Sequence, residues 1–182
     1  ANAIVQLHDW GAPGYAELTP DWDVVAPSAI SLKSFGQQEE HDAREMTAEE
    51  IEQTIRDFGE ATRRAIEAGF DGVEIHGANH YLIHQFVSPY YNRRNDVWAD
   101  NYKFPVAVID EVVKAKKSHA NDDFIIGYRL SPEEAESPGI SMEITEELIH
   151  QIANKPLDYI HVSLMDVNSV TREGKYKGEN LL

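Results

Sequence analysis

Cysteine is absent from all 182 residues of the sequence. Disulfide bonds are therefore excluded within this chain, as are zinc and iron–sulfur sites built on thiolate ligands. A chain without cysteine fits a reducing compartment, and we expect a cytoplasmic protein.

Long apolar runs and positive charge are also scarce. No stretch reaches the roughly 18 consecutive apolar residues of a membrane-spanning helix, so no membrane partner is expected. Acidic residues outnumber basic ones by 32 to 16, which gives a formal net charge of −16. Because such a surface repels phosphate backbones, we expect no nucleic-acid partner, whereas a small-molecule substrate is compatible with this charge.

The apolar pattern alternates between strand-like and helix-like segments. Strands are predicted at residues 3–7, 70–76, 124–130 and 159–163, and helices at residues 48–68, 104–119 and 144–153, with a turn or short helix at 77–87. This alternation predicts an α/β fold with a parallel sheet, either doubly wound or closed into a barrel. No Gly-x-Gly-x-x-Gly follows any predicted strand, which disfavours a dinucleotide-binding fold.

Two local features refine this pattern. Thr47 and Glu50 have the spacing of a capping box, which predicts a helix start, and Gly69 is a candidate for its end. Residues 8–46 show no sustained periodicity and are interrupted by glycine and proline. A loop of that length inside a compact domain is usually functional.

Polar side chains follow the predicted strands at their carboxyl ends. Examples are His8, His76, Arg129 and Ser163. In a barrel of parallel strands these ends share one mouth, which is where active sites of such barrels lie. We therefore expect the chemistry to be located there.

Several stretches resemble the motifs of the Old Yellow Enzyme family. The most specific is residues 69–86, which read GFDGVEIHGANHYLIHQF, and residues 88–96 continue the match. Gln6-Leu7 with Gly11 resembles the third-strand motif of that family, and residues 128–132 resemble its fifth-strand motif. The matches occur in family order across nearly the whole chain.

This resemblance implies a (β/α)8 TIM barrel, of which the chain would be a part. The predicted strands would be the third to the sixth, with the third to the fifth helices. Residues 1–182 would form a single partial barrel domain with a long active-site loop over about 8–46, and the first two and last two βα units would be absent. Whole barrels of this kind take about 250 residues.

The resemblance also implies a function. Members bind FMN across the barrel mouth, accept hydride from NADH or NADPH, and pass it through flavin N5 to the β-carbon of an activated alkene. The expected protein is thus an FMN-dependent NAD(P)H oxidoreductase that reduces the C=C bond of unsaturated carbonyl or nitro compounds.

Five residues match family positions with assigned roles. His76 and Asn79 would hold the substrate oxygen, on which negative charge builds as hydride arrives. Tyr81 would give a proton to the α-carbon, since a phenol keeps its proton until a carbanion-like centre needs it. The Gln6 amide would hydrogen-bond to the pyrimidine edge of the flavin, and Arg129 would stabilise negative charge at flavin N1 and the C2 carbonyl.

Two other readings remain open at this point. His76, His80 and His84 recur every four residues, as metal ligands on a helix would, and a metal-dependent barrel hydrolase is one alternative. However, His76 ends a strand, and no carboxylate at ligand spacing completes the set, so no metal site is predicted. The other alternative is a flavin-free module whose open sheet edges self-associate into a homo-oligomer.

Overall fold

The computed structural model describes residues 1–33, 40–172 and 174–181. The strands are β1 (Ile4–Leu7), β2 (Val25–Ala26), β3 (Ile30–Lys33), β4 (Glu40–Glu45), β5 (Gly72–Gly77), β6 (Ile125–Leu130) and β7 (Tyr159–Val162). The helices are α1 (Ala48–Glu67), α2 (Leu82–Val87), α3 (Lys103–His119) and α4 (Met142–Ile152), and short 3-10 turns occupy Ala16–Leu18 and Pro20–Trp22.

The main sheet has four strands in the order β1-β5-β6-β7, and each neighbouring pair is parallel. Spatial order therefore follows chain order without a reversal, and a helix lies between each strand and the next. A doubly wound sheet reverses its strand order at a switch point, whereas a barrel does not. The arrangement is that of consecutive strands in a (β/α)8 barrel.

Helix α1 begins and ends as its sequence predicts. The Glu50 amide donates to Thr47 Oγ1 over 3.2 Å and the Thr47 amide donates to Glu50 Oε2 over 2.8 Å, which completes the capping box. Gly69, with φ of +85°, follows the C-cap residue Ala68, and the amides of Gly69 and Phe70 close a Schellman motif. None of the described helices, α1 included, has the length and apolar character that a bilayer crossing needs.

The two faces of the main sheet differ in chemistry. Alternate residues of β5 and β6 pack under the helices, and these are the fully buried Val73, Ile75, Ile126, Tyr128 and Leu130. Burial of each such side chain stabilises the fold by roughly 1.5–3 kcal/mol. Because side chains alternate along a strand, the residues between them point to the opposite face, which carries the polar groups.

The expectation of an irregular loop over residues 8–46 is wrong where strands β2, β3 and β4 lie, and residues 34–39 are outside the described part of the chain. Strands β2, β4 and β3 form a small second sheet, in which β3 and β4 are antiparallel. Its own core consists of Ala12, Val24, Ala26 and Ala43. Ile30-Ser31-Leu32-Lys33 alternates apolar and polar residues, but four residues are too few for a period of two to stand out.

Arg94 attaches this second sheet to the barrel. Its side chain is 5% exposed, and Nη1 donates to the carbonyls of Pro27 and Met46, each over 2.7 Å. Nη2 pairs with Asp96 over 2.6 Å. The segment 88–96, which carries family-like residues, thus includes the residue that holds the second sheet in place.

We expect Arg94→Ala to lower the free energy of unfolding by roughly 2–4 kcal/mol, because it removes charged hydrogen bonds to two backbone carbonyls. Urea denaturation of the two proteins would measure the difference. Arg56→Ala is the control, since Arg56 is exposed on α1 and bonds only to Gln53 among the described residues. That change should stay within about 0.5 kcal/mol, and an equal loss in both variants would contradict the anchoring role.

Candidate active site

The polar face of the main sheet presents its side chains in register. Gln6 on β1 lies beside Glu74 on β5. Nearer the carboxyl ends, His76 on β5 lies beside Arg129 on β6, which lies beside His161 on β7. Parallel pairing therefore brings together residues that are far apart in the sequence at one edge of the sheet.

His76 is a buried and neutral imidazole at the end of β5. It is 2% exposed, and its Nδ1 has no hydrogen-bond partner within the described part of the chain. Burial, followed by the positive charge of Arg129, lowers the pKa of His76 to about 4. At neutral pH the ring therefore has one N–H donor and one lone pair.

The loop formed by residues 78–81 reverses the chain, so that the Tyr81 side chain lies next to that of His76. Asn79 and His80 both adopt left-handed backbone conformations, with φ of 58° and 62°. Such residues cost of order 1–3 kcal/mol each and persist where the surrounding structure holds them. The reversal brings the Tyr81 ring centroid to 5.0 Å from that of His76.

Two serines and an arginine orient the Asn79 amide. Ser163 Oγ donates to Asn79 Oδ1 over 2.9 Å, and Ser131 Oγ lies 3.4 Å from the same oxygen. Arg129 Nη2 in turn donates to Ser163 Oγ over 2.8 Å. Because its oxygen is occupied, Asn79 is left with its amide N–H groups to offer to a ligand.

Ser163 is a residue whose role the sequence did not reveal. Sequence reasoning placed it at the mouth but assigned it no chemistry. The relevant signal was its position immediately after β7, yet its link to Asn79 spans 84 residues. A contact across that separation depends on strand register, which sequence spacing does not report.

Tyr81 also belongs to a wall of aromatic rings. Its centroid lies 5.2 Å from that of His8 and 5.1 Å from that of Trp10, and Trp10 contacts Tyr15 at 5.9 Å. Trp10 remains 42% exposed. The segment after β1 therefore contributes a flat, partly open surface beside His76.

Gln85 holds that segment in place. Its side chain is fully buried; Oε1 accepts from the Ala12 amide over 3.2 Å, and Nε2 donates to the His80 carbonyl over 2.6 Å. Gly11 has φ of +58°, and a Cβ there would lie 2.5 Å from Gln85 Oε1. The approach therefore requires glycine, which accounts for Gly11 in the strand-end motif.

Gln6 is oriented by an acidic neighbour. Its Nε2 donates to Glu74 Oε1 over 2.5 Å, and Glu74 Oε2 pairs with His161 Nδ1 over 3.0 Å. Burial acts to raise the pKa of Glu74, but hydrogen bonds from Gln6, His161 and Tyr159 outweigh it and the net pKa is lowered. The anionic carboxylate thus fixes the amide, which keeps its carbonyl oxygen and second N–H for a ligand.

The lowered pKa of His76 predicts a ring that titrates near pH 4. NMR of imidazole protons would measure this, with His76→Asn used to assign the signal. Unfolded histidine titrates near 6.5, so the unfolded state binds more protons between about pH 4 and 6.5, and the free energy of unfolding should fall as the pH is lowered through that window. A His76 midpoint between 6 and 7 would contradict the burial argument.

Comparison with known proteins gives a family match over residues 1–179, to the NADH:flavin oxidoreductase / NADH oxidase family. A Bacillus subtilis (strain 168) protein named "Probable NADH-dependent flavin oxidoreductase" is 53% identical over 178 residues. That alignment covers 96% of this chain and 46% of the relative. An NADH:fumarate oxidoreductase of Klebsiella pneumoniae (strain 342) is 46% identical over 168 residues, covering 90% of this chain and 18% of that protein.

Solved structures match the fold as well. The old yellow enzyme homologue from Zymomonas mobilis superposes with a TM-score of 0.76 over 97% of this chain and 50% of that chain, at 22% identity. At that identity the likeness is one of fold, and it confirms the predicted barrel type. The chain spans about half the length of the Bacillus subtilis relative. On its motifs, its strand order and the match over residues 1–179, the chain belongs to the NADH:flavin oxidoreductase / NADH oxidase family, that of Old Yellow Enzyme, and forms part of its (β/α)8 barrel.

Proposed function

We propose that this protein is an FMN-dependent NAD(P)H oxidoreductase that reduces the C=C bond of an alkene activated by a carbonyl, carboxyl or nitro group. The observation that carries the proposal is the convergence of His76, Asn79 and Tyr81 at the carboxyl ends of the parallel strands, with Arg129 in register beside His76. The family match supports the flavin, and the donor set supports the substrate class.

The residues present fit an FMN isoalloxazine ring. Arg129 Nε is buried without a hydrogen-bond partner in the described part of the chain, although a buried guanidinium nitrogen normally has one. Gln6 offers an acceptor and a donor from an oriented amide. We assign Gln6 to the pyrimidine edge and Arg129 to the region of N1 and the C2 carbonyl. FMN bound there would supply hydride chemistry, with NADH or NADPH as electron donor.

His76 and Asn79 serve as paired donors to the substrate oxygen. His76 stays neutral and therefore donates without the solvation cost of a buried cation. Asn79 offers its amide N–H groups because two serines bind its oxygen. Donors oriented in advance stabilise charge that develops on the oxygen in the transition state more than they stabilise the bound substrate.

Tyr81 holds the proton that completes the reduction. Its ring lies next to His76, on the side lined by His8 and Trp10. Addition of hydride to the β-carbon leaves an electron pair at the α-carbon, and transfer of the phenolic proton to that carbon gives the saturated product. The phenolate is then reprotonated from solvent.

The name of one relative motivates the substrate class. This NADH:fumarate oxidoreductase is 46% identical over 168 residues, which are 18% of its length, and fumarate is an alkene conjugated to carboxyl groups. Both this relative and the one at 53% identity carry NADH in their names, so we propose NADH as the preferred donor. A cytoplasmic location is part of the proposal, since the 182 residues of this chain contain no cysteine and so fit a reducing compartment.

The first test is His76→Ala in the full-length protein with FMN bound. We expect the flavin band between 300 and 600 nm to be retained after desalting, while reoxidation of reduced flavin by an enone slows by about 100-fold or more. Anaerobic stopped-flow absorbance measures both half-reactions, and reduction by NADH should change less.

His119→Ala is the matched control, because His119 is an exposed histidine at the end of α3. It should leave both half-reactions unchanged. Unaltered reoxidation in His76→Ala would contradict the role of His76 as a donor to the substrate oxygen. A full-length wild-type protein that retains no flavin would overturn the proposed function as a whole.

A second test distinguishes the role of Arg129 from that of Ser163. Arg129→Ala should release FMN or lower its reduction potential, because the permanent positive charge is lost. Ser163→Ala should retain FMN but slow reoxidation, because it loosens the orientation of Asn79 and removes one hydrogen bond of Arg129 while the charge of Arg129 stays. Flavin content and potential, measured on both variants, check the assignment; unchanged values in Arg129→Ala would contradict it.

A further inference from the structure

A second cluster of ionisable groups lies behind the active-site loop. It consists of His80, His84 at the start of α2, and Glu134 from the segment after β6. One ligand atom from each lies within 4.8 Å of the other two. None of the three has a part in the proposed reduction.

Glu134 is held rigidly inside this cluster. Its side chain is fully buried, and Oε1 accepts from the Ile140 amide over 2.8 Å and from the Ser88 hydroxyl. The other oxygen, Oε2, is 2.7 Å from His84 Nε2, whose ring is 1% exposed. The Glu134 carboxylate and the His84 imidazole are therefore in direct contact and shielded from solvent.

His80 faces the same place but makes no hydrogen bond there with any described residue. Its Nδ1 is 3.7 Å from Glu134 Oε2 and 3.9 Å from Glu136 Oε2. Within the described residues, His80 Nδ1 and Glu136 Oε2 are both buried atoms without a partner. Two ligands that each lie about 2.0–2.2 Å from one cation are separated by distances of this size, whereas hydrogen-bonded atoms are closer.

The charge of the cluster is unbalanced. Over the described ranges, the ion-pair partners of Glu134 and Glu136 are histidines alone. Buried carboxylates are normally paired with a cation or coordinate a metal.

We propose that His80 Nδ1, His84 Nε2 and Glu134 Oε2 bind a divalent transition-metal ion of the Zn²⁺ class, with the Glu136 carboxylate in the fourth position. Two imidazoles and carboxylate oxygens suit Zn²⁺, whereas Mg²⁺ and Ca²⁺ prefer oxygen ligands throughout. The pair His84–Glu134, now 2.7 Å apart, would open by roughly 0.6–0.8 Å to reach the separation of two tetrahedral Zn²⁺ ligands. The ion would tie the segment after β6 to α2, directly behind Asn79 and Tyr81.

The structure places a carboxylate, that of Glu134, near His80 and His84, which ligand spacing in the sequence did not indicate. Glu134 lies 50 residues from His84, so it has no characteristic ligand spacing. It reaches the histidines because β6 ends beside β5, and the chain beyond each strand continues at the same edge of the sheet.

The test is Zn²⁺ binding by the tag-free, chelator-treated, full-length protein with flavin bound, measured by isothermal titration calorimetry. The wild type should bind one Zn²⁺, and its Tm should rise with Zn²⁺ but not with Mg²⁺. His80→Gly should weaken Zn²⁺ binding by more than about 100-fold, since loss of even an outer-shell partner costs about 10- to 100-fold. Glycine suits this variant because position 80 is left-handed, so the backbone should not be strained.

His119→Ala should bind Zn²⁺ as the wild type does. Glu134→Gln provides a second test: it retains an oxygen for Ser88 and Ile140 but removes the charge, and it should also lose Zn²⁺. Absence of Zn²⁺ binding by the wild type, or affinity within threefold of wild type in His80→Gly, would overturn the proposal. Flavin content of each variant is recorded separately, so that loss of the metal is distinguished from failure of the proposed function.

Discussion

The parallel register of β5 and β6 is the constraint on which the candidate site depends. It sets His76 beside Arg129 and turns the ends of both strands toward one edge. The guanidinium then adds to burial in keeping His76 neutral, and through Ser163 it also orients Asn79. A shift of one residue in this register would move each of these side chains to the opposite face of the sheet.

Buried polar side chains hold the segments that surround the site. Gln85 binds the chain after β1 to the loop after β5, and Arg94 binds the second sheet to the barrel. Because an unpaired polar group is costly in an interior, such a residue is stable only in the arrangement that satisfies all its bonds. These contacts therefore specify one position for segments that lack a large apolar core of their own.

The short loop 78–81 serves two surfaces at once. Asn79 and Tyr81 face the mouth, whereas His80, between them, faces the cluster with His84 and Glu134. Consecutive left-handed residues make this division feasible, since the chain reverses within a few residues.

The helices, the four strands of the main sheet and the family could be predicted from the sequence. The capping box of Thr47 and Glu50, the end of α1 at Gly69 and the alternation of strands and helices depend on contacts within a few residues, and periodicity reports these directly. The motif around His76 also identified the residues gathered at the mouth. Four contacts were visible only in the folded chain: Ser163 links Arg129 to Asn79, Gln85 requires Gly11, Glu134 joins His84, and β2, β3 and β4 form a second sheet. The physical reason is that these contacts join residues whose proximity is set by strand register and packing, which leave no periodic signal in the sequence between them.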